Sequence, residues 1–258
     1  MMRLKKQICI GFFVVLAAFK VAAGNDVGVF YGSSSLSENV IYLGYSPNSF
    51  ADIYKGNWEV GREELSGELH LPKGQGPFPA VVLQHGSGHP NELKLWWEKI
   101  VPALLADGIA VFIANSFDGR GIMGTSGDQT KLSKAARVVD ALMALKALAE
   151  HSKIDGDKVG ITGYSFGGIV SIETADKRTV ESVLGAGLKY AAHLPVFPGC
   201  GSHREKINMT GSPILFLLGQ KDNYTPAKFC EEYLQKMQAA GVPVKLKIYE
   251  EAGHGFVK

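Results

Sequence analysis

The chain has 258 residues, of which 46% are hydrophobic and 20% are charged, and its formal net charge is +2. This length is enough for one large domain with a buried core. Removing the four cations of the first 23 residues (Arg3, Lys5, Lys6, Lys20) lowers the count of basic residues from 27 to 23, against 25 acidic residues. A slightly acidic chain without a basic block lacks the electrostatic footprint of a nucleic-acid-binding protein.

The first 23 residues predict a secretory signal peptide. Basic residues up to Lys6 precede a short apolar run over residues 8–19, and small residues around Ala23 offer a cleavage site. The apolar run is short for a membrane span. We therefore expect cleavage near Ala23. The mature protein is expected to be exported, periplasmic or secreted, and not anchored in the membrane.

Two segments with different patterns follow the signal. Residues 24–57 are rich in Gly, Ser and Asn, so we expect an irregular N-terminal lead-in in which only residues 40–43 resemble a strand. Residues 58–258 then form the main domain, which we expect to begin with one or two antiparallel edge strands over residues 58–71.

From Ala80 onward, apolar strand-like runs alternate with helix-like segments. The predicted strands cover residues 80–84, 109–113, 158–162, 180–188, 213–218 and 244–249, and the predicted helices cover residues 91–107, 129–151, 169–176 and 226–240. This alternation predicts an α/β fold with a mostly parallel, twisted sheet that is flanked by helices on both faces. In such sheets, functional sites gather at the carboxyl ends of the strands.

A glycine-rich loop, residues 85–88, follows the strand at 80–84. A loop of this kind, followed by a helix, can offer backbone N–H groups to an anion. His85 and His89 are poor candidates for metal ligands, because the segment is full of glycine and no carboxylate or cysteine accompanies them. The sequence predicts no metal site.

The next strand leads into a second glycine-rich loop. Residues 119–124 spell G-x-G-x-x-G, but they do not open a helix directly, so a dinucleotide site is not expected. Arg120 in this loop has two open interpretations. Its guanidinium can clamp a substrate carboxylate, or it can pair with Asp118 or Asp128 and hold the loop.

The strand at 158–162 runs into Gly163-Tyr-Ser-Phe-Gly167, which matches the G-x-S-x-G nucleophile elbow. The glycines are required because a Cβ two residues either side of the serine would collide with a neighbouring strand or helix. Ser165 is therefore the predicted nucleophile. Two backbone N–H groups, those of Ser87 and Phe166, are the predicted oxyanion-hole donors.

Residues 189–212 show no periodicity and predict a long loop, which in a compact domain is usually functional or mobile. Tyr190, His193 and Phe197 are candidates for lining a substrate pocket there; alternatively, the segment only covers the sheet edge. Two cysteines, Cys200 and Cys230, remain after signal cleavage. In an oxidising compartment an even pair favours a disulfide, and two unrelated buried thiols are the alternative.

Asp222 and His254 follow the last two predicted strands. The chain order of Ser165, Asp222 and His254 is the order in which hydrolases with this elbow carry their triad. His254 is expected to accept the serine proton, and Asp222 to orient the imidazole and stabilise the imidazolium. Asp155, Asp176 and Glu251 are weaker candidates for the acid, because none of them follows the strand before the histidine-bearing one.

These motifs resemble the dienelactone hydrolase family of the α/β-hydrolases, in its exported members. The resemblance spans roughly residues 58–258 and rests on the segments at 115–121, 163–168, 197–200, 219–230 and 253–256. It implies the α/β-hydrolase fold and carboxylic-ester chemistry, and it favours the Cys200–Cys230 disulfide because both cysteine neighbourhoods recur in such relatives. Ser165 stands where the name-giving enzymes have a cysteine, and Gly86 stands where they have a glutamate, so their particular lactone is not implied.

The sequence thus predicts an exported serine hydrolase that cleaves a small-molecule carboxylic ester or lactone through an acyl-enzyme. No metal or organic cofactor, nucleic acid or membrane partner is expected. A peptidase or amidase with the same triad is the alternative enzyme, and a non-catalytic binding protein with a hydrolase fold is the alternative from another class.

Overall fold

The computed structural model describes residues 36–201 and 205–257. The predicted signal peptide and residues 24–35 lie outside the described residues. The strands are β1 (Leu36–Gly44), β2 (Glu63–Leu71), β3 (Phe78–Gln84), β4 (Ala110–Asn115), β5 (Ile154–Tyr164), β6 (Ala192–Val196), β7 (Ile214–Gly219) and β8 (Val244–Tyr249). They form one sheet in the order β1-β2-β4-β3-β5-β6-β7-β8. Strand β2 is antiparallel to both of its neighbours, β1 and β4, and the neighbouring pairs from β4-β3 to β7-β8 are parallel.

Helices cover both faces of this sheet. They are α1 (Phe50–Tyr54), α2 (Lys94–Ala106), α3 (Lys134–Ala149), α4 (Phe166–Glu173), α5 (Lys177–Leu184) and α6 (Ala227–Ala239). Side chains of successive strand residues point to opposite faces. In β3, Val82 packs with α3 whereas Val81 packs with α2, and β7 alternates in the same way. Because both faces are buried, the central strands are continuous apolar runs rather than alternating ones.

Two predicted segments after the elbow differ from the structure. Residues 180–188 were expected to form a strand, but Lys177–Leu184 is helix α5, with the Asp176 side chain accepting a hydrogen bond from Thr179 N–H at its start. The predicted loop 189–212 contains β6, whose residues are all buried between β5 and β7. Helix α5 has only eight residues, and a short apolar run of this kind does not distinguish a helix from a strand. Pro195 within β6 resembles a loop residue. The local pattern therefore misleads at both places.

The described part of the predicted irregular lead-in is also regular. β1 pairs with β2 along nine residues, and α1 begins with a capping box between Ser49 and Asp52. Leu36 and Ile41 in β1 are more than half exposed. An edge strand with little buried surface carries a weak apolar pattern, and its backbone bonds to β2 keep it in the sheet.

A disulfide joins Cys200, in the segment after β6, to Cys230 in α6. Its 30-residue separation gives a chain-entropy stabilisation of about 3–4 kcal/mol.

We expect the double variant Cys200→Ala/Cys230→Ala to lower Tm by about 10 °C, because the unfolded chain is no longer cross-linked. Thermal unfolding measures this, and reduction of the wild type should reproduce the shift while leaving the variant unchanged. An unchanged Tm on reduction would contradict the prediction.

Among the described residues, none of the helices combines the length and the apolar character that a membrane crossing requires.

Candidate active site

The nucleophile elbow is the sharp turn between β5 and α4. Ser165 has φ 53° and ψ −117°, a conformation that a non-glycine residue rarely adopts. Its backbone N–H donates to Val196 O at 3.0 Å, which ties the turn to β6. The surrounding structure therefore maintains a strained residue at the start of α4, as the motif predicts.

The two elbow glycines are sterically required. A Cβ on Gly163 would lie 2.6 Å from the backbone of Gly167, and a Cβ on Gly167 would lie 2.3 Å from Gln84 O. All of these are backbone contacts that a side-chain rotation cannot relieve. Glycine lets β5, α4 and the end of β3 approach this closely.

The structure brings Ser165, His254 and Asp222 together at the carboxyl edge of the sheet. His254 Nε2 lies 3.2 Å from Ser165 Oγ, and His254 Nδ1 lies 2.9 Å from Asp222 Oδ2. The carboxylate can only accept, so Nδ1 carries the ring proton and Nε2 is free to accept the serine hydroxyl proton. This geometry is that of a nucleophile, a base and a group that orients the base.

Asp222 is nearly inaccessible to solvent and is bound on both oxygens. Tyr224 N–H and Thr225 N–H donate to Oδ1 at 2.9 and 2.8 Å, and Thr225 Oγ1 donates to Oδ2 at 2.7 Å. Burial acts to raise the pKa of Asp222, but the hydrogen bonds from Thr225 and His254 outweigh it and lower the pKa below its ordinary value. The carboxylate therefore stays ionised beside the imidazole.

Two aromatic rings hold the His254 imidazole. The Phe197 centroid lies 4.8 Å from the His254 ring and the Tyr224 centroid 4.9 Å from it, both in edge-on arrangements. Phe197 is buried, whereas Tyr224 is 70% exposed. Phe197, a predicted pocket residue, thus contacts the candidate base from the core, and Tyr224 contacts it from the surface.

The two segments of the predicted oxyanion hole are both close to Ser165. A Cβ on Gly86 would lie 3.7 Å from Ser165 Cβ, so the loop that carries Ser87 runs beside the serine. Ser87 O accepts from Thr125 N–H at 2.7 Å, and Ser87 Oγ accepts from Gln129 Nε2 at 2.8 Å. Phe166 is the first residue of α4, where backbone N–H groups have no acceptor within the helix.

Arg120 forms a buried ion pair. Its Nη1 and Nη2 donate to the two carboxylate oxygens of Asp140, each at 2.8 Å, and the other bonds of the guanidinium go to Ser46 Oγ and to the carbonyls of Tyr45 and Ser116. The arginine therefore holds its loop, as one of the two interpretations proposed. The partner is Asp140 in α3 rather than Asp118 or Asp128.

Tyr190 and His193, the other two candidate pocket residues, lie in the core. Both are fully buried, Tyr190 Oη donates to Ala141 O at 2.5 Å, and His193 Nδ1 lies 2.8 Å from Ser171 O. Burial lowers the pKa of His193 to about 4. The assignment to a substrate pocket is corrected, because neither side chain reaches solvent.

Sequence reasoning missed two polar residues near the site. Thr225 Oγ1 lies 3.0 Å from His254 Nδ1 as well as binding Asp222, and Arg137 contacts the loop of Ser87. Arg137 did carry a signal, because it is a cation within the apolar face of a core helix. The described residues contain no cluster of three or more His, Cys, Asp or Glu side chains that could hold a metal ion.

The parallel sheet, with its elbow after β5, defines an α/β-hydrolase fold. The structure of Thermogutta terrifontis esterase 2 phosphorylated by paraoxon has the same fold, with a TM-score of 0.56 and 19% identity over 75% of this chain and 80% of that chain. The profile of the dienelactone hydrolase family matches residues 65–258. The chain therefore belongs to the dienelactone hydrolase family.

Two curated relatives share part of the sequence. Esterase EstD of Thermotoga maritima is 30% identical over 168 residues, which cover 62% of this chain and 38% of that protein. The acylamino-acid-releasing enzyme of Sus scrofa is 26% identical over 213 residues, which cover 68% of this chain and 28% of that enzyme. The match spans well under half the length of these relatives.

Proposed function

We propose that this protein is a serine hydrolase that cleaves small-molecule carboxylic esters or lactones through an acyl-enzyme on Ser165. The observation that carries the proposal is the unbroken contact from Asp222 through His254 to a strained serine. Membership of the dienelactone hydrolase family and the similarity to esterase EstD support the ester substrate class.

The acylation step uses the candidate triad and two backbone donors. Ser165 Oγ attacks the ester carbonyl while its proton moves to His254 Nε2, and Asp222 stabilises the imidazolium that forms. The charge on the carbonyl oxygen is stabilised by the N–H groups of Ser87 and Phe166, each worth about 3 kcal/mol. His254 then gives the proton to the leaving alkoxide as the C–O bond breaks.

Deacylation repeats the sequence with water. His254 Nε2 takes a proton from water, the hydroxide attacks the acyl carbonyl, and the Ser165 Oγ–acyl bond breaks as the proton returns to Oγ. The products are a carboxylic acid and free enzyme. The His254 side chain is about one quarter exposed, so water can reach the imidazole.

A fluorophosphonate probe tests the activated serine directly. We expect a single adduct on Ser165 by peptide mapping, because His254 increases the nucleophilicity of this hydroxyl alone. His254→Ala should abolish the adduct while the variant stays folded by circular dichroism. A folded wild-type protein that forms no adduct would contradict the proposed serine-hydrolase function.

Amide hydrolysis by the same groups is a second candidate, which the similarity to the acylamino-acid-releasing enzyme favours. An ester and an amide with the same acyl group distinguish the two functions. We expect a higher kcat/KM on the ester, and a higher value on the amide would assign the protein to the second function.

We also propose that the protein is exported and cleaved near Ala23. The basic residues, short apolar run and small residues of the first 23 positions support this, and the Cys200–Cys230 disulfide suits an oxidising compartment. Intact mass of the exported fraction should correspond to a chain that starts at Gly24. A cytoplasmic protein that retains residues 1–23 would overturn the proposal.

A further inference from the structure

A buried arginine on α3 contacts both segments that carry the proposed oxyanion donors. Arg137 is fully buried, and it donates from Nη1 to Gly86 O at 2.8 Å and from Nη2 to His85 O at 2.5 Å. Its guanidinium lies 4.7 Å from the centroid of the Phe166 ring and 5.3 Å from that of Phe117. One side chain therefore links the glycine-rich loop to the first residue of α4.

The carbonyl bonds are notable because burial of a guanidinium is costly. Desolvation lowers the pKa of Arg137, which reflects the cost of its charge in the core. Asp140, an acid on the same helix, is bound at both oxygens by Arg120. Arg137 instead donates hydrogen bonds to two successive carbonyls of one loop, those of His85 and Gly86. Hydrogen bonds from a charged donor are roughly twice as strong as neutral ones.

His85 reinforces the same carbonyl. Ser116 N–H donates to His85 Nε2 at 3.3 Å, so the ring proton is on Nδ1, which lies 3.0 Å from Gly86 O. Arg137 Nη2 lies 3.3 Å from the same nitrogen, but it donates to the nearer His85 O. Burial first, and then the charge of Arg137, lower the pKa of His85 well below its usual range and keep the ring neutral. Gly86 O therefore accepts from two donors, one of them charged.

Holding this carbonyl determines the direction of the next N–H. The peptide between Gly86 and Ser87 is planar and trans, so its N–H points opposite to its C=O. Anchoring Gly86 O on Arg137 therefore turns the Ser87 N–H away from α3, in a loop that runs beside Ser165. Without Arg137, Gly86 O keeps only its contact with His85 Nδ1 and loses its charged donor, so the peptide is held less firmly.

We propose that Arg137 is a positioning residue that locks the Gly86–Ser87 peptide so that the Ser87 N–H is aimed at the oxyanion. This inference rests on the ester-hydrolase function proposed above. An aimed donor acts on the transition state rather than on the bound substrate. Loss of Arg137 should therefore lower kcat by about 10- to 100-fold and change KM by less than about threefold.

The test compares Arg137→Met and Arg137→Lys with a matched control on the same helix, Lys134→Met. Lys134 pairs with Glu173 at 3.1 Å, so its loss also removes a cation from α3. The measurements are kcat and KM on a simple ester, the Ki of a boronic acid that mimics the tetrahedral intermediate, and hydrogen exchange of the peptide over residues 84–90. Circular dichroism establishes that each variant is folded.

The proposal predicts that Arg137→Met loses kcat and boronate affinity by the same factor and that its residues 84–90 exchange faster. The Lys134→Met control should behave like the wild type in all three measurements. Arg137→Lys should fall between, because one ammonium cannot hold both carbonyls in a fixed plane. If the Met variant does not fold, the Lys variant carries the test. A folded Arg137 variant with wild-type kcat and exchange, or an equal kcat loss in Lys134→Met, would overturn the inference.

Failure of the underlying function gives a different result. A folded wild type without ester turnover or fluorophosphonate adduct refutes the hydrolase proposal and not the loop contact. The hydrogen exchange of residues 84–90 then decides whether Arg137 holds the loop: faster exchange in the Arg137 variants supports that contact, and unchanged exchange refutes it.

Discussion

Ser165→Ala is expected to lower kcat on esters by about 10⁵-fold, to the level that binding and the oxyanion donors alone support. The reason is that no other group in the contact network can form the acyl-enzyme, since Ser165 Oγ is the atom 3.2 Å from His254 Nε2. Alanine removes only that oxygen and leaves the backbone of the elbow in place. Steady-state kinetics on a chromogenic ester measure the loss.

The same substitution elsewhere provides the control. Ser182→Ala, on α5, should retain wild-type kcat and KM, because this helix is not part of the candidate site. Intact mass after fluorophosphonate treatment should show no adduct on the Ser165→Ala protein. A loss of less than about tenfold in kcat, with a folded variant, would show that another group is the nucleophile.

Asp222→Asn is expected to lower kcat by about 10³- to 10⁴-fold, although the substitution is nearly isosteric. Tyr224 N–H and Thr225 N–H both donate to Oδ1, so the asparagine oxygen must take that position and its NH₂ group must replace Oδ2. That NH₂ group then donates to His254 Nδ1. The ring proton moves to Nε2, which can no longer accept the proton of Ser165.

This prediction is specific to the carboxylate that faces His254. Asp155→Asn changes an acid that pairs with Lys158, and it should leave kcat unchanged. The fluorophosphonate reaction of Asp222→Asn should slow in parallel with ester turnover, because both need the same proton transfer. If Asp222→Asn retained kcat within tenfold while Asp155→Asn lost it, the acid would be misassigned.

The elbow and the order of the candidate triad could be predicted because their signals are local. Gly163, Ser165 and Gly167 lie within five residues, and the clash of any Cβ there with Gln84 O or the Gly167 backbone makes the pattern obligatory. Asp222 and His254 were identifiable because each follows a strand, and the ends of parallel strands meet at one edge. Short apolar runs were less informative: α5 resembled a strand, and β6 resembled a loop.

The side-chain assignments that needed long-range contacts could not be made from sequence. Arg120 was equally compatible with a substrate carboxylate and with an acid, and only the packing of α3 against its loop brings Asp140 to it. Tyr190 and His193 lie in a segment with loop-like composition, yet insertion of β6 between two strands buries them completely.

By itself, then, the sequence determined the fold class and which serine, acid and histidine are the candidates, because backbone sterics and apolar periodicity act over a few residues. The tertiary structure alone decided which polar side chains serve those candidates. Thr225 reaches both Asp222 and His254, and Arg137 reaches the carbonyls of His85 and Gly86 across more than 50 positions of sequence. The direction of a buried hydrogen bond depends on which elements pack together, and that is a property of the whole fold.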